Sequence, residues 1–269
     1  MKFAFFGTPN FAATILKELV EAGLAPALII CNPDRPAGRK QVVTPPPTKI
    51  IGEASGIPVW QPEKLLASEC SEKLAGMDFA VVAAYAKIIS GEIIAQPRLG
   101  MIGVHPSLLP KYRGTTPIQS AILSGESVTG TTLFILDEKV DHGAIIAQAQ
   151  APLVEAETYT SLEKKLALLS GRLLIEKLPL FQQGAIKPIP QIETEATMTK
   201  KFKTEDGFVD AEKMTTEEFY RKVRALNPQP GAYAIKNGLR VKIIDRETVQ
   251  HEGRTPKKVK DAIFYLKSL

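Results

Sequence analysis

Short apolar runs alternate with helical patterns along the first 105 residues, and this alternation constrains the fold more than any other feature. Two segments, 10–23 and 62–75, carry apolar residues at helical spacing, and Gly23 is suited to end the first helix. The apolar runs, each predicted to be a buried strand, are 2–7, 26–31, 77–84 and 99–105. Buried strands joined by helices are typical of a parallel sheet with helices on both faces, so we expect an α/β fold.

The middle of the chain adds two strands and a long helix. Strands are predicted at 129–136 and 144–153, on either side of a tight acidic loop. Thr160-Ser161-Leu162-Glu163 has the pattern of a capping box, and we expect it to open a helix that continues to residue 182.

The composition changes at Pro188-Ile189-Pro190, and we place a linker there. This divides the chain into a large N-terminal domain at 1–183, a linker at 184–199 and a small C-terminal domain at 200–269. In the small domain, a capping box at 215–218 precedes a helix that ends near Leu226. Asn237-Gly238 between two apolar runs predicts a β-hairpin.

The charge is unevenly placed along the chain. Residues 1–199 contain 18 Lys+Arg and 19 Asp+Glu, whereas residues 200–269 contain 16 and 10, a net charge of +6. A basic segment suits a polyanionic partner, but a lysine-rich solvated surface fits the same numbers.

The apolar runs, the cysteines and the first turn each exclude a class of protein or site. No apolar run approaches the roughly 20 residues of a membrane helix, so we expect no membrane partner. Cys31 and Cys70 lie in apolar or helical contexts, which favours a reducing cytoplasm and no disulfide framework. In the first turn, Pro9 stands where a dinucleotide site needs its second glycine, which argues against an NAD site.

Two motifs place ionisable side chains at predicted strand ends. His105 ends a buried strand before a loop with two prolines, and ligand crevices open at such ends of parallel sheets. An imidazole there suits acid, base or electrostatic work near neutral pH, although a structural histidine bonded to backbone has the same pattern. The acidic loop 137–141 indicates either a functional carboxylate or a solvated turn. Neither motif decides the function alone.

Together the motifs resemble a known family. The run from His105 through Ser107-Leu108-Leu109-Pro110 to Arg113-Gly114, followed by Asp141-His142-Gly143, resembles the folate-dependent formyltransferases. Pro33-Asp34-Arg35-Pro36-Ala37-Gly38-Arg39 narrows the resemblance to formyltransferases that act on methionyl-tRNA. Gly7-Thr8-Pro9, Ala84-Tyr85 and 224–232 are similar to the same family, so the resemblance spans nearly the whole chain.

The resemblance implies a fold and a set of site residues. The fold would be a Rossmann-like formyltransferase catalytic domain with a mostly parallel sheet, followed by a small C-terminal β-rich domain of the OB type that helps to bind tRNA. His105 matches the catalytic histidine, and Asp141 matches the aspartate that pairs with it. The positions that match folate contacts are Ser107, Leu108, Leu109, Pro110 and Tyr85. Those that match contacts to the acceptor end of the tRNA are Arg35, Arg39 and Lys40.

The resemblance also implies a reaction. The formyl group of 10-formyltetrahydrofolate, the co-substrate, would pass to the amino group of initiator methionyl-tRNA for translation initiation. Attack by the amine creates an oxyanion that an imidazolium at His105 would stabilise, and Asp141 would favour that charged form and help to remove the amine proton. The sequence lacks metal-ligand clusters, so we expect no metal, and we expect a cytoplasmic monomer.

The sequence departs from the family at one site position. Gly103 stands two residues before the histidine, where the family motif has an asparagine that is taken to donate to the formyl oxygen. Losing one such donor typically costs about 10²–10³ in rate. Three interpretations follow: His142, Ser107 or a water replaces the donor, the enzyme is slower, or the protein keeps the fold without the reaction.

The C-terminal segment departs as well. Family strands expected between Ile244 and Val249 are missing, so we expect a reduced, partly open sheet instead of a closed barrel. Lys257, Lys258 and Lys260 either replace lost tRNA contacts or cap a terminal helix.

Two further functions compete with transfer to methionyl-tRNA. One is the same chemistry on a small amine, such as an amino sugar nucleotide, although such a substrate needs neither the Arg39 loop nor a basic tail. The other is a folate- or RNA-binding protein without catalysis, which Gly103 motivates.

Overall fold

The computed structural model describes residues 1–37 and 41–268 and shows alternating strands and helices. The strands are β1 (Phe3–Gly7), β2 (Leu28–Ile30), β3 (Arg35–Ala37), β4 (Val42–Thr44), β5 (Val59–Trp60), β6 (Phe79–Ala83), β7 (Met101–His105), β8 (Val128–Ile135), β9 (Ile145–Pro152), β10 (Tyr233–Lys236), β11 (Leu239–Asp245), β12 (Thr248–His251) and β13 (Lys257–Lys258). The α-helices are α1 (Asn10–Glu21), α2 (Pro47–Ala54), α3 (Ala67–Leu74), α4 (Gly91–Ile94), α5 (Pro117–Leu123), α6 (Tyr159–Gln182), α7 (Thr216–Leu226) and α8 (Ala262–Lys267).

Two compact units interleave along the sequence. Unit 1 contains Met1–Arg113, Gly130–Ala151 and Lys164–Thr197, and unit 2 contains Gly114–Thr129, Pro152–Glu163 and the chain from Met198 onwards. The predicted boundaries at residues 183 and 199 were placed where the composition changes. Two segments of unit 2 nevertheless lie before residue 164, inside the predicted N-terminal domain. The predicted division into consecutive domains therefore differs from the compact units, and it stays a prediction about the sequence.

The large sheet has seven strands in the order β5-β2-β1-β6-β7-β8-β9. Its central pairs are parallel, and β7 pairs with β8 antiparallel. Because β1 lies between β2 and β6, the strand order reverses there, and a crevice opens beyond the carboxyl ends of such strands. The predicted Rossmann-like, mostly parallel sheet is confirmed, with six of its strands at the predicted positions.

One face of this sheet carries His105. Side chains alternate between the faces of a strand, so Met101, Gly103 and His105 share a face of β7. Met101 belongs to a buried cluster that also contains Phe6, Ile30 and other apolar side chains. The apolar residues of β7 therefore fix the strand, and His105 stands at its end where the packed layer reaches the crevice.

Unit 2 contains a four-stranded antiparallel sheet in the order β10-β11-β12-β13. In the part of the chain that the structure describes, β10 and β13 are end strands, which agrees with the expected partly open sheet. Asn237 and Gly238 both have positive φ, at 52° and 75°, as a two-residue hairpin turn requires. Helix α7 begins at the predicted capping box, where Thr215 and Glu218 bond each other reciprocally.

The start of α6 differs from its prediction. The helix begins at Tyr159, and the reciprocal bonds run between Thr158 and Ser161 instead of between Thr160 and Glu163. Glu163 accepts a hydrogen bond from the Tyr159 hydroxyl at 2.6 Å. Two capping patterns overlap in this stretch, one at Thr158–Ser161 and one at Thr160–Glu163. The structure forms the first, and Glu163 bonds Tyr159 instead of capping the helix.

Candidate active site

His105 is buried at the end of β7, with 5% of its surface exposed. Its Nε2 lies 2.8 Å from the carbonyl oxygen of Tyr112, and its Nδ1 lies 3.5 Å from Oδ2 of Asp141. Both ring nitrogens therefore face oxygen acceptors, and the doubly protonated imidazolium is the form that donates to both. This arrangement suits a histidine that holds positive charge during a reaction.

Asp141 reaches His105 from the loop between β8 and β9. Its backbone has a positive φ of 48°, a conformation that aspartate tolerates better than most residues. The structure thus brings together the two residues predicted to act as a catalytic pair, although they are 36 positions apart in the sequence.

The predicted linker packs against the loops of this site. Ile189 forms an isolated bridge with Ile145, and Thr197 exchanges backbone hydrogen bonds with the loop at Pro110 and Arg113. Thr197 Oγ1 also accepts from the Tyr112 backbone N–H at 2.7 Å. Residues 189–197, which we call the strap, therefore pack on unit 1. The composition revealed the prolines of this segment. It could not reveal that Ile189 and Thr197 bond to residues far away in the sequence.

An ion pair joins Glu193 of the strap, which is exposed, to Arg113 in the segment that follows His105. The Arg113 guanidinium, which is almost fully buried, binds Glu193 through two nitrogens, at 3.0 and 2.7 Å. The hydrogen bonds from Arg113 hold the pKa of the Glu193 carboxyl below its ordinary value. Sequence reading did not assign Glu193, because nothing in its neighbourhood resembles a motif.

The position of the missing asparagine has no room for a side chain. Gly103 pairs with Val82 of β6 and with Phe134 of β8. A Cβ atom on Gly103 would lie 2.5 Å from Cζ of Phe134 and 2.6 Å from Cδ1 of Leu136. The Phe134 ring, buried at 3% exposure, thus fills the space that a side chain at 103 would need.

The two protein groups considered as replacement donors are engaged elsewhere. The Ser107 hydroxyl is fully buried and donates to the Lys111 carbonyl oxygen at 2.6 Å. His142 lies 2.5 Å from Asp137 through Nδ1, and its Nε2 lies 3.5 Å from Glu193. A replacement of the donor by either group therefore requires a rearrangement of these bonds.

The predicted folate-contacting segment is held rigidly. Leu109 is buried, its N–H donates to Thr132 Oγ1, and its carbonyl oxygen accepts from Gln148 Nε2. With Ser107 buried as well, Leu108 and Pro110 are the members of the segment that keep surface exposed.

Tyr85 is the remaining position predicted to contact folate, and it packs against Phe6. Its ring packs edge-on against Phe6 at 5.4 Å, and burial raises the pKa of its hydroxyl. Among the residues that the structure describes, its hydroxyl oxygen is buried without a hydrogen-bond partner. Tyr85 therefore contributes packing against the buried cluster that contains Phe6.

The positions predicted to contact tRNA are only partly described. Arg35 is exposed at the start of β3 and pairs with Glu63 at 2.5 Å. Arg39 and Lys40 lie outside the described residues.

The described part of the chain offers neither a cluster of metal-binding side chains nor a helix that could span a membrane. No group of three or more His, Cys, Asp or Glu side chains at 1–37 and 41–268 is placed to hold a metal ion. None of the described helices is both long enough and apolar enough to cross a bilayer.

Comparison with known proteins places this geometry in a family. The sequence matches the formyl transferase family over residues 1–178 and the formyl transferase C-terminal domain over residues 201–262. It is 40% identical to a methionyl-tRNA formyltransferase of Chloroflexus aurantiacus over 255 residues, which are 94% of this chain and 82% of that protein.

Solved structures share the fold. HypX from Aquifex aeolicus in complex with tetrahydrofolic acid is 21% identical, with a TM-score of 0.66 over 91% of this chain and 37% of that one. The N-formyltransferase from Helicobacter canadensis, solved with folinic acid and dTDP-3-aminofucose, is 19% identical, with a TM-score of 0.67 over 91% and 86%.

Proposed function

Because the chain belongs to the formyl transferase family, we propose that it transfers a formyl group from 10-formyltetrahydrofolate to the amino group of initiator methionyl-tRNA. The observation that carries this proposal is the His105–Asp141 pair at the end of β7, 3.5 Å apart, in a chain 40% identical to a methionyl-tRNA formyltransferase. Such an enzyme serves translation initiation.

The two side chains divide the chemistry between them. The amine nitrogen forms a bond to the formyl carbon, and the bond between that carbon and N10 of the folate then breaks. The step needs a proton removed from the attacking amine and delivered to the departing N10, and it needs negative charge stabilised on the formyl oxygen. We assign the first task to the Asp141 carboxylate and the second to the His105 imidazolium, whose Nδ1 lies 3.5 Å from that carboxylate. Since no side chain extends from Gly103, the stabilisation of the oxyanion rests more heavily on His105 than the family motif implies.

The segment after His105 fits a folate. The bonds of Ser107 and Leu109 fix its backbone, and Leu108 and Pro110 leave part of their apolar surface exposed. A flat ring system binds well to a rigid apolar surface of this kind. When bound, the folate supplies the one-carbon group.

Charge supports a tRNA acceptor. The net charge of +6 in residues 200–269 suits phosphate contacts, and Arg35, Arg39 and Lys40 are assigned to the acceptor end by their place in the motif. We propose further that the protein works as a monomer in the cytoplasm, where its two buried free cysteines stay reduced.

The test is a direct assay of acceptors. The natural chain is incubated with 10-formyltetrahydrofolate and either methionyl-tRNA or an amino sugar nucleotide, and the products are identified by mass spectrometry. Methionyl-tRNA whose amine is already acetylated is the control acceptor. We expect formyl-methionyl-tRNA alone. Formylation of the sugar nucleotide only, or binding of tRNA and folate without transfer, would overturn the proposal in favour of a small-amine enzyme or a binding protein.

A further inference from the structure

Gln191 is the residue of the strap that contacts both loops of the site. Its side-chain Nε2 donates to the carbonyl oxygens of Asp141 and Gly143, at 2.9 and 2.8 Å. Its Oε1 accepts from Nε and Nη2 of Arg113, at 3.1 and 2.8 Å. One half-buried amide therefore makes four hydrogen bonds to two segments that are far apart in sequence.

These bonds connect the two segments that contact the His105 imidazole from opposite sides. Arg113 directly follows Tyr112, whose carbonyl oxygen faces Nε2 of His105, and Asp141 faces Nδ1 from the other side. The two oxygens that orient the imidazole thus belong to the two segments that Gln191 joins. The separation between these segments sets how closely Asp141 approaches His105.

The Asp141 loop needs such a restraint. Asp141 has a positive φ of 48°, a left-handed conformation that is strained for a residue other than glycine. Gln191 binds the carbonyl oxygen of Asp141 itself and that of the residue two positions on, so it holds the turn on both sides.

We propose that Gln191 is a positioning residue for formyl transfer, which holds the Asp141 carboxylate against His105 through the backbone of the 141–143 turn. The proposal rests on the proposed function. It assigns no contact with substrate to Gln191, and its effect is expected on kcat and not on KM.

Two substitutions distinguish the hydrogen bonds that Gln191 donates to the 141–143 turn from those that it accepts from Arg113. Gln191→Glu keeps the volume and an oxygen for Arg113 but removes both donors to the turn, whereas Gln191→Ala removes both contacts. Because a displacement of about 1 Å can cost about 10²-fold in rate, we expect both variants to lower kcat by about 10²-fold with little change in KM. The matched control is Gln96→Ala, since Gln96 is also half-buried and its Nε2 donates to a backbone carbonyl, that of Ala67, at 2.9 Å.

An activity-independent readout comes from the imidazole ¹⁵N resonances. The chain has only three histidines, and His251, which is bonded to the Tyr265 hydroxyl, serves as the internal reference. We expect the ring resonances of His105 to move in both Gln191 variants and to stay in place in Gln96→Ala. Fluorescence of the single tryptophan, Trp60 in unit 1, verifies that each variant is folded.

The outcomes separate this proposal from the proposed function. Natural-level kcat in Gln191→Glu, or unchanged His105 resonances in both variants, would overturn the positioning role even if the natural chain formylates methionyl-tRNA. If the natural chain shows no transfer, the proposed function fails, and the resonances still decide whether Gln191 positions Asp141 against His105.

Discussion

A side chain introduced at Gly103 should destabilise unit 1, because Phe134 and Leu136 already occupy its space. The Cβ of Gly103→Asn would lie 2.5 Å from Phe134 Cζ and 2.6 Å from Leu136 Cδ1. Carbon atoms pack at about 3.5–4.0 Å, so these neighbours would have to retreat by about 1 Å. Overpacking costs about 1–3 kcal/mol and a buried amide without partners about 1–3 more, so we expect a loss of about 2–6 kcal/mol.

Removing the Phe134 ring should relieve that strain. Phe134→Ala alone is expected to cost about 3–5 kcal/mol, because it leaves a cavity. In the double variant the asparagine occupies part of that cavity, so the two losses should not add. We expect the double variant to be about 2 kcal/mol more stable than the sum of the single effects predicts. Phe79→Ala is the control partner, since Phe79 stacks on Phe3 on the other face of the sheet and should combine additively with Gly103→Asn.

Urea unfolding followed by Trp60 fluorescence measures these energies in unit 1. With a slope of about 2 kcal/mol per molar, Gly103→Asn should lower the midpoint by about 1–3 M. A midpoint equal to that of the natural chain would refute the steric account. So would a double-mutant cycle in which Gly103→Asn and Phe134→Ala add as fully as Gly103→Asn and Phe79→Ala do. A consequence for activity follows, because Gly103→Asn alone cannot restore the family's donor while Phe134 stays in place.

Three further outcomes are expected. His105→Ala and Asp141→Ala should each lower formyl transfer by at least about 10²-fold with circular dichroism unchanged, and a near-natural rate in either would remove it from the site. Arg39→Ala should raise KM for methionyl-tRNA, most strongly at low salt, while folate affinity measured by fluorescence quenching stays the same; a defect in folate binding alone would contradict the assignment. The pKa of Glu193 is lowered by its hydrogen bonds from Arg113, so their bridge adds stability above the ordinary carboxyl pKa of 4.5 and loses it as pH falls through the lower folded-state pKa. Glu193→Gln should therefore reduce acid sensitivity of unit 1 in urea titrations below pH 4.5, and an unchanged acid limb would count against the bridge.

The sheet was predictable because its signals are local. Each buried strand is a short apolar run, and the capping box at Thr215 and the turn at Asn237-Gly238 specify backbone geometry within four residues. The helix α5 and the small hairpin of β3 and β4 escaped prediction, since both are short and their sequences lack a long periodic pattern.

The candidate site was predictable only in part. His105 and Asp141 stand in motifs, so a resemblance was enough to pair them before the structure placed them 3.5 Å apart. Gln191 and Glu193 act through contacts with residues about 50 and 80 positions away, and nothing local marks them. The fit of Phe134 over Gly103 is likewise a cross-strand contact, which depends on a register that sequence does not show.

The most direct test of the central claim is a single-turnover measurement with enzyme in excess over methionyl-tRNA. The natural chain and Asp141→Asn are compared at saturating 10-formyltetrahydrofolate, so binding and product release do not set the rate. The account predicts formyl-methionyl-tRNA from the natural chain, with glycine at 103, and a rate at least about 10²-fold lower in the variant. Bound tRNA and folate without transfer by the natural chain, or equal rates in the two proteins, would contradict it.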